Sequence, residues 1–324
     1  MGCTSQELFI HQQESMTMND TLTPFKRILL ALACLGAVAT GAQAQEVNTL
    51  KKIKDTNTIT LGHRESSIPF SYYDDRMDGN KQAVIGYSHA IMLKAVDAVK
   101  AELKADKLNV KLMPVTSSNR ITLVQNGTVD IECGSTTNNL ERQKQVNFSN
   151  TIFVVGTRLL VKKTSGIKDF ADLAGKNVVV TAGTTSERLL RKMNEDKQLK
   201  MNIVSAKDHG ESFLMLETGR SAAFMMDDAL LYGEMAKAKK PADWEVVGTP
   251  QSKEAYGCML PKGDAAFKKV VDGAIAKVFT SGEGAKIYQQ WFQSPIPPKG
   301  LNLNMALSPD MQTLFKTPND KTFD

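Results

Sequence analysis

A chain of 324 residues, 42% hydrophobic and 23% charged, has the make-up of a water-soluble globular protein, which excludes collagen-like, low-complexity and wholly disordered classes. The length accommodates about two domains of ~150 residues each. A formal net charge of +5 suits either a nucleic-acid partner or an acidic small molecule and does not choose between them.

The first 44 residues have the layout of an export signal. Lys26 and Arg27 form a positive segment, Ile28 through Val38 is a nearly unbroken apolar run, and Ala42-Gln43-Ala44 is the small-x-small pattern cut by signal peptidase. The apolar run is short of the ~20 residues that a membrane span needs. Cleavage after Ala44 makes Gln45 the first mature residue and implies a soluble periplasmic or secreted product; Met16 and Met18 compete with Met1 as the start. A lipid anchor on Cys34 is disfavoured, because Leu35 stands where a small or polar residue is usual. The leader takes two basic and three acidic residues with it, so the mature 280 residues carry 38 basic and 32 acidic ones, a net +6. Two cysteines remain, Cys133 and Cys258, and an even count in an oxidising compartment reads as one possible disulfide.

Along the mature chain, strand-like runs at Thr58–Gly62, Leu108–Val115, Val129–Cys133, Thr157–Val161, Asn177–Thr181, Met201–Ser205, Ala222–Met226, Trp244–Val247 and Tyr256–Leu260 alternate with helix-period stretches. The helices are Ser88–Leu103, where Met92, Val96, Val99 and Leu103 share a face, then Asn119–Asn126, Thr185–Asp196, Gly210–Thr218, Ala229–Lys239, Ala265–Thr280 and Gly282–Phe292. Strand–helix alternation predicts an α/β fold with mostly parallel sheets. From Ser294 the alternation fails. Ser294-Pro-Ile-Pro-Pro-Lys-Gly300 is a rigid, turn-rich exit, and the last 25 residues read as a packed or loosely docked tail.

Chemistry motifs are sparse. Four histidines show no metal-ligand spacing, Cys-x-x-Cys is absent, and so are the glycine-rich nucleotide loops and the hydrolase elbow, so no cofactor and no metal is expected. Ser165-Gly-Ile-Lys168 matches S-x-x-K without its companion motifs. Cys133 with His209 is read as half of a disulfide rather than as a nucleophile and its base. Two features suit anions. Gly183-Thr-Thr-Ser186 follows the Val178–Val180 strand and opens a helix, where free N–H groups and the helix dipole attract a carboxylate, or where Thr184 or Ser186 is simply the capping hydroxyl. Cys133-Gly-Ser-Thr-Thr137 ends another strand with Arg142 five residues on, a carboxylate grip or a Ser/Thr-rich turn.

In order along the chain stand Gly62-His-Arg-Glu-Ser-Ser-Ile-Pro-Phe-Ser-Tyr-Tyr-Asp74, Gly86-Tyr-Ser88, Cys133-Gly-Ser-Thr-Thr-Asn-Asn-Leu-Glu-Arg142, Phe148-Ser149, Thr181-Ala-Gly-Thr-Thr-Ser186 and Ala223-Phe-Met-Met-Asp-Asp228. Each is weak alone. As an ordered set, running from about Leu50 to the C-terminus, they resemble the periplasmic amino-acid-binding proteins of ABC importers. The resemblance implies a type II-like fold of two α/β lobes joined by two hinge strands, one lobe being 45–150 plus 249–324 and the other 151–248. It implies that Ser135, Thr137 and Arg142 meet the α-carboxylate and ammonium of an amino acid, that Thr184 helps hold the α-carboxylate, and that Asp227, in preference to Asp228, pairs with the ammonium. Arg64, Ser117, Arg120 and His209 would meet a second carboxylate, which implies capture of L-glutamate or L-aspartate and delivery to the importer's membrane subunits by a monomer. Phe70 and Tyr72 either pack on the ligand's stem or belong to the core. Where the family often has an acidic residue after Gly86-Tyr-Ser88, this chain has His89 and Ala90. The implied fold also brings the strands of Cys133 and Cys258 together as a disulfide.

Three other readings are weighed against this one: a receptor for another polar or dicarboxylate amino acid, such as glutamine; an enzyme on the same fold, such as a cyclic-acid dehydratase using His209 or Glu65; and a nucleic-acid binder. Export and the lack of a clustered basic run argue against the last.

Overall fold

The computed structural model describes residues 47–74 and 83–323. The export signal, its cleavage site and Cys34 lie outside the described residues.

The elements are α1 (Thr49–Thr56), β1 (Thr58–His63), β2 (Ser66–Ser67), β3 (Ser71–Asp74), β4 (Ala83–Ile85), α2 (Tyr87–Glu102), β5 (Asn109–Pro114), α3 (Arg120–Gln125), β6 (Ile131–Glu132), β7 (Thr137–Asn138), α4 (Leu140–Gln143) and β8 (Asn147–Lys162). They continue with β9 (Asn177–Thr181), α5 (Thr185–Asp196), β10 (Asn202–Ala206), α6 (His209–Glu217), β11 (Ala223–Asp227), α7 (Asp228–Lys237), β12 (Trp244–Val247), β13 (Lys253–Leu260), α8 (Ala265–Thr280), α9 (Glu283–Phe292) and α10 (Pro309–Lys316). The helices start where short polar side chains can cap them. Thr184 Oγ1 accepts from Glu187 N at 3.1 Å, Asp208 Oδ1 from Glu211 N at 2.9 Å and Asp264 Oδ1 from Phe267 N at 2.9 Å.

The strands run in the order β10-β9-β11-β8-β13-β6-β1-β5, with β12 against β8 and β7 against β13. β5, β1 and β6 are parallel, as are β10, β9 and β11. Between these halves lie two long antiparallel strands. The first part of β8 pairs with β13, from Asn147 opposite Leu260 to Gly156 opposite Lys253. Its second part pairs with β11 and β12, from Thr157 opposite Asp227 to Lys162 opposite Trp244. β8 thus carries the chain from one lobe to the other and β13 brings it back.

Period-2 alternation sorts the side chains. Val178 and Val180 of β9, Ala223 and Met225 of β11, and Leu159 and Val161 of β8 enter one apolar cluster with Phe170, Leu190 and Met193; Val179, Phe224, Met226 and Leu160 point to the other face. Valine-rich strands buried on both faces are what a parallel sheet sandwiched by helices demands. Phe70 lies in an aromatic cluster, with ring centroids 5.0 Å from Phe153, 5.2 Å from Tyr256 and 5.8 Å from Phe292. Tyr72 packs edge-on to Trp291, and its hydroxyl donates to Pro297 O at 2.9 Å. Both residues belong to the core.

The sequence-predicted run Thr157–Val161 is only the second part of the 16-residue β8. The tail is packed, not loose: Met311 and Leu314 of α10 are buried, and Thr151 N donates to Asn319 O at 2.7 Å. Cys133 and Cys258 are joined, 125 residues apart in sequence. The register explains the pairing: Met259 of β13 stands opposite Glu132 of β6, so the next residue of one strand faces the preceding residue of the other. Because this bond closes so long a loop, replacing both cysteines by alanine should lower the unfolding free energy by on the order of 4–5 kcal/mol in the chain-entropy model, read from urea denaturation of the two proteins.

Candidate functional site

The nine residues expected at a ligand site all lie at the carboxyl ends of parallel strands or in the segments that follow them. Arg64 comes directly after β1; Ser117 and Arg120 come after β5; Ser135, Thr137 and Arg142 come after β6. From the other half, Thr184 follows β9, His209 opens α6 after β10, and Asp227 ends β11. Open α/β sheets bind ligands in this crevice, where the strand order reverses. All nine side chains are buried. Arg64, Arg120, His209 and Asp227 are each 1% exposed, and Ser135, the most accessible of the set, 6%.

Local structure sets each position. After β5, Thr116 and Asn119 bond reciprocally, Thr116 N to Asn119 Oδ1 at 2.8 Å and Asn119 N to Thr116 Oγ1 at 3.2 Å; this turn starts α3 at Arg120. Arg120 Nη1 then donates to Ser135 O at 3.1 Å and to Thr136 Oγ1 at 2.6 Å. Arg142 Nη1 donates to Thr137 O at 2.9 Å and its Nη2 reaches across to Gly183 O at 3.3 Å. Gly183 has φ +77° and lies so close to the turn after β5 that a Cβ there would stand 2.7 Å from Ser118 Cα. Asp227 Oδ1 accepts from Thr157 Oγ1 at 3.2 Å and Ser186 Oγ at 3.3 Å, and its Oδ2 accepts from the Tyr256 hydroxyl. Asp228 points elsewhere, accepting from its own helix at Ala229 N, 2.7 Å.

Sequence reasoning missed the second carboxylate of this site. Glu254 of β13 accepts from Thr137 Oγ1 on one side of the crevice, from Thr185 Oγ1 at 2.7 Å on the other, and from Ser252 Oγ at 2.9 Å. It also missed Thr157, Tyr256 and Glu132, and offered Ser186 only as a helix-capping hydroxyl. The one available signal was a charged residue inside an apolar strand run, as at Glu132 between Ile131 and Cys133. A cavity of about 310 Å³ opens beside Glu254, lined also by Thr137, Thr185 and Phe323.

The electrostatics divide the crevice into two poles. Burial lowers the proton affinity of all three arginines, Arg64 to about 10 and Arg142 to about 9, the former also through Arg120 and the latter through Arg120 and Arg188. Burial, reinforced by Glu254, pushes the Asp227 carboxyl up. Among the described residues, Arg64 Nη1, Arg120 Nε, Arg142 Nε, Ser117 Oγ and His209 Nε2 are buried and make no hydrogen bond. A buried polar group without a partner costs about 1–3 kcal/mol, and more when charged. Unbonded guanidinium N–H groups fit carboxylates, while the Asp227 and Glu254 pole fits an ammonium.

A two-lobed α/β fold whose crevice gathers buried arginines at one pole and buried carboxylates at the other has the charges that a receptor for a small zwitterion needs. The chain belongs to the bacterial extracellular solute-binding proteins, family 3, whose model matches residues 59–294. It is 64% identical over 295 residues to the L-glutamate/L-aspartate-binding protein of Pseudomonas aeruginosa, covering 90% of this chain and 96% of that one. It is 60% identical over 294 residues to the glutamate/aspartate import solute-binding protein of Escherichia coli K12, covering 91% and 96%. Among solved structures, a cysteine-binding protein from Campylobacter jejuni superposes with a TM-score of 0.65 at 26% identity, covering 76% of this chain and 93% of that one. A mutant of ArgBP from T. maritima does so at 0.66 with 23% identity, covering 76% and 100%, a likeness of fold.

His209 offers a direct check on the burial of this site. Its Nδ1 lies 2.8 Å from Thr181 Oγ1, and burial first, then the Arg64 and Arg120 charges, hold the imidazole well below its ordinary value. The unfolded chain protonates it below about pH 6.5, whereas the folded protein keeps it neutral. The unfolded state therefore binds more protons in that window. His209's contribution to stability is complete above about pH 6.5 and is lost as pH falls, at up to ~1.4 kcal/mol per pH unit. Denaturant titrations of ligand-free protein between pH 7 and pH 5.5 should show a smaller acid loss in His209→Asn than in wild type, by about 1 kcal/mol; equal losses would mean that His209 titrates alike in both states.

Proposed function

We propose that this protein is the periplasmic receptor that captures L-glutamate and L-aspartate by closure of its two lobes and delivers them to an ABC importer. The observation that carries this reading is the pair Arg64 and Arg120, two fully buried guanidinium groups beyond the Arg142 that an α-carboxylate needs, both with unbonded N–H groups. A neutral or cationic side chain would leave uncompensated positive charge on that pair, and unpaired buried charge is costly. The names of the relatives at 64% and 60% identity support the same ligands.

In this reading Arg142, Ser135, Thr137 and Thr184 hold the α-carboxylate, the Asp227 pole takes the ammonium, and Arg64, Ser117, Arg120 and neutral His209 meet the side-chain carboxylate. Lobe 1 is 45–150 plus 249–324 and lobe 2 is 151–248. The ligand touches both lobes and so favours the closed form, a hinge motion whose equilibrium binding shifts. The closed monomer then docks on the importer's membrane subunits. Nucleic acid has no part in this cycle.

Calorimetric titration with the amino acids tests the reading directly: heat with glutamate and aspartate and weaker binding of glutamine support it, and the reverse order overturns it. Truncating one partner of a buried charge pair costs about 2–5 kcal/mol. Arg120→Ala should therefore weaken glutamate roughly 100-fold while leaving glutamine within about tenfold. Asp227→Asn should weaken both ligands alike, since both carry the same ammonium. N-terminal sequencing of the exported protein should begin at Gln45.

A further inference from the structure

The arginine pole contains a carboxylate of its own. Glu132, on β6, is fully buried. Its Oε2 accepts from Thr136 Oγ1 at 2.7 Å, and the same hydroxyl oxygen accepts from Arg120 Nη1 at 2.6 Å, so one hydroxyl tethers the carboxylate to the guanidinium. Its Oε1 makes no hydrogen bond among the described residues.

Two glycines make room for it. A Cβ on Gly134 would stand 2.5 Å from Glu132 Oε1 and 2.7 Å from Arg64 Cγ, and a Cβ on Gly62 would stand 3.1 Å from both Cβ and Cγ of Glu132. Glu132 and the stem of Arg64 therefore pack against each other across Gly134. Glu132 favours the charged form of both arginines. Other charges also act here: Asp208, half-buried, on Arg64; Asp227 and Glu254 on Arg120; and Lys237, half-buried and held by Glu234 at 3.1 Å, on His209.

We propose that Glu132 is a specificity-determining residue of the crevice: tethered to Arg120 through Thr136 and packed against Arg64, it offsets one of the two guanidinium charges and leaves a single positive charge for one ligand carboxylate. The inference rests on the assignment of Arg64 and Arg120 to the ligand's side chain. Glutamate and glutamine are nearly isosteric and differ there by one charge. The fixed charge around that carboxylate therefore sets how strongly the acid is preferred over the amide, because at short range in a buried site each unit charge acts with little screening.

Glu132→Gln removes the charge and keeps an oxygen to accept from Thr136, so it separates charge from position. Calorimetry, direct for L-glutamate and by displacement for L-glutamine, should show the glutamate-to-glutamine affinity ratio rising tenfold or more in Glu132→Gln. Thr136→Val keeps the charge and cuts the tether; it should lower the same ratio about fivefold by freeing the Arg120 guanidinium, with glutamine affinity little changed. If wild type does not prefer glutamate, or Arg120→Ala weakens both ligands equally, the underlying assignment falls and takes this inference with it. With those controls intact, a Glu132→Gln ratio within threefold of wild type overturns the role of Glu132 alone. Should Glu132→Gln fail to fold, Thr136→Val decides: an unchanged ratio, or an equal loss for both ligands, marks Glu132 as merely structural.

Discussion

Three guanidinium groups and three carboxylates sit out of water in one crevice: Arg64, Arg120 and Arg142 against Glu132, Asp227 and Glu254. Moving even one such charge from water into a protein interior costs several kcal/mol unless partners repay it. Hydroxyls do much of the repaying: Thr136 between Glu132 and Arg120, Thr137, Thr185 and Ser252 at Glu254, Thr157 and Ser186 at Asp227. No single segment of chain could supply such a set. The charges come from the ends of β1, β6, β11 and β13 and from α3 and α4. The sheets, the hinge and the disulfide can be understood as the framework that holds them at one place.

The hinge strands are part of that framework as well as the connection between lobes. Thr157 on β8 lies opposite Asp227 on β11, and Glu254 on β13 lies opposite Val155 two residues earlier on β8. Both carboxylates of this acidic pole are therefore placed by the register of one strand. A one-residue slip in such pairing would turn every side chain to the other face, so the register is strongly specified. On the arginine side the Cys133–Cys258 bond ties β6 to β13 right beside Glu132, and Gly134 follows immediately because Arg64 and Glu132 leave no room for a Cβ.

Much of the secondary structure was legible along the chain. β9 and α5 coincide with the sequence-predicted elements because Val178-Val-Val180 is a buried-strand run and Gly183-Thr184 an abrupt helix start with its own capping hydroxyl. β8 was only partly legible. Its two parts pair with different partners and change their burial pattern, so neither a strict alternation nor a continuous apolar run spans its 16 residues. The hairpin of β2, β3 and β4 and the tail helix α10 are short segments stabilised by packing rather than by period, and periodicity cannot find them. His209 opens a helix at Lys207-Asp-His-Gly210, a position that nothing in the local sequence marks as buried; it is enclosed by Thr181 on β9, 2.8 Å from its Nδ1, and by the crevice arginines.

By itself the sequence determined the α/β class, the resemblance to a family, and the positions where Ser, Thr, Arg and Asp stand at strand ends, because these follow from local patterns of burial and capping. Only the tertiary structure decided that Glu254 and Glu132 belong to the charged crevice, that Phe70 and Tyr72 belong to the core, and that Asp227 rather than Asp228 faces inward. For Asp227, Glu254 and Tyr72 those facts depend on partners 29 to 225 residues away, and a carboxylate's surroundings over such separations are set by sheet register and lobe contact, which leave no mark on the neighbouring sequence.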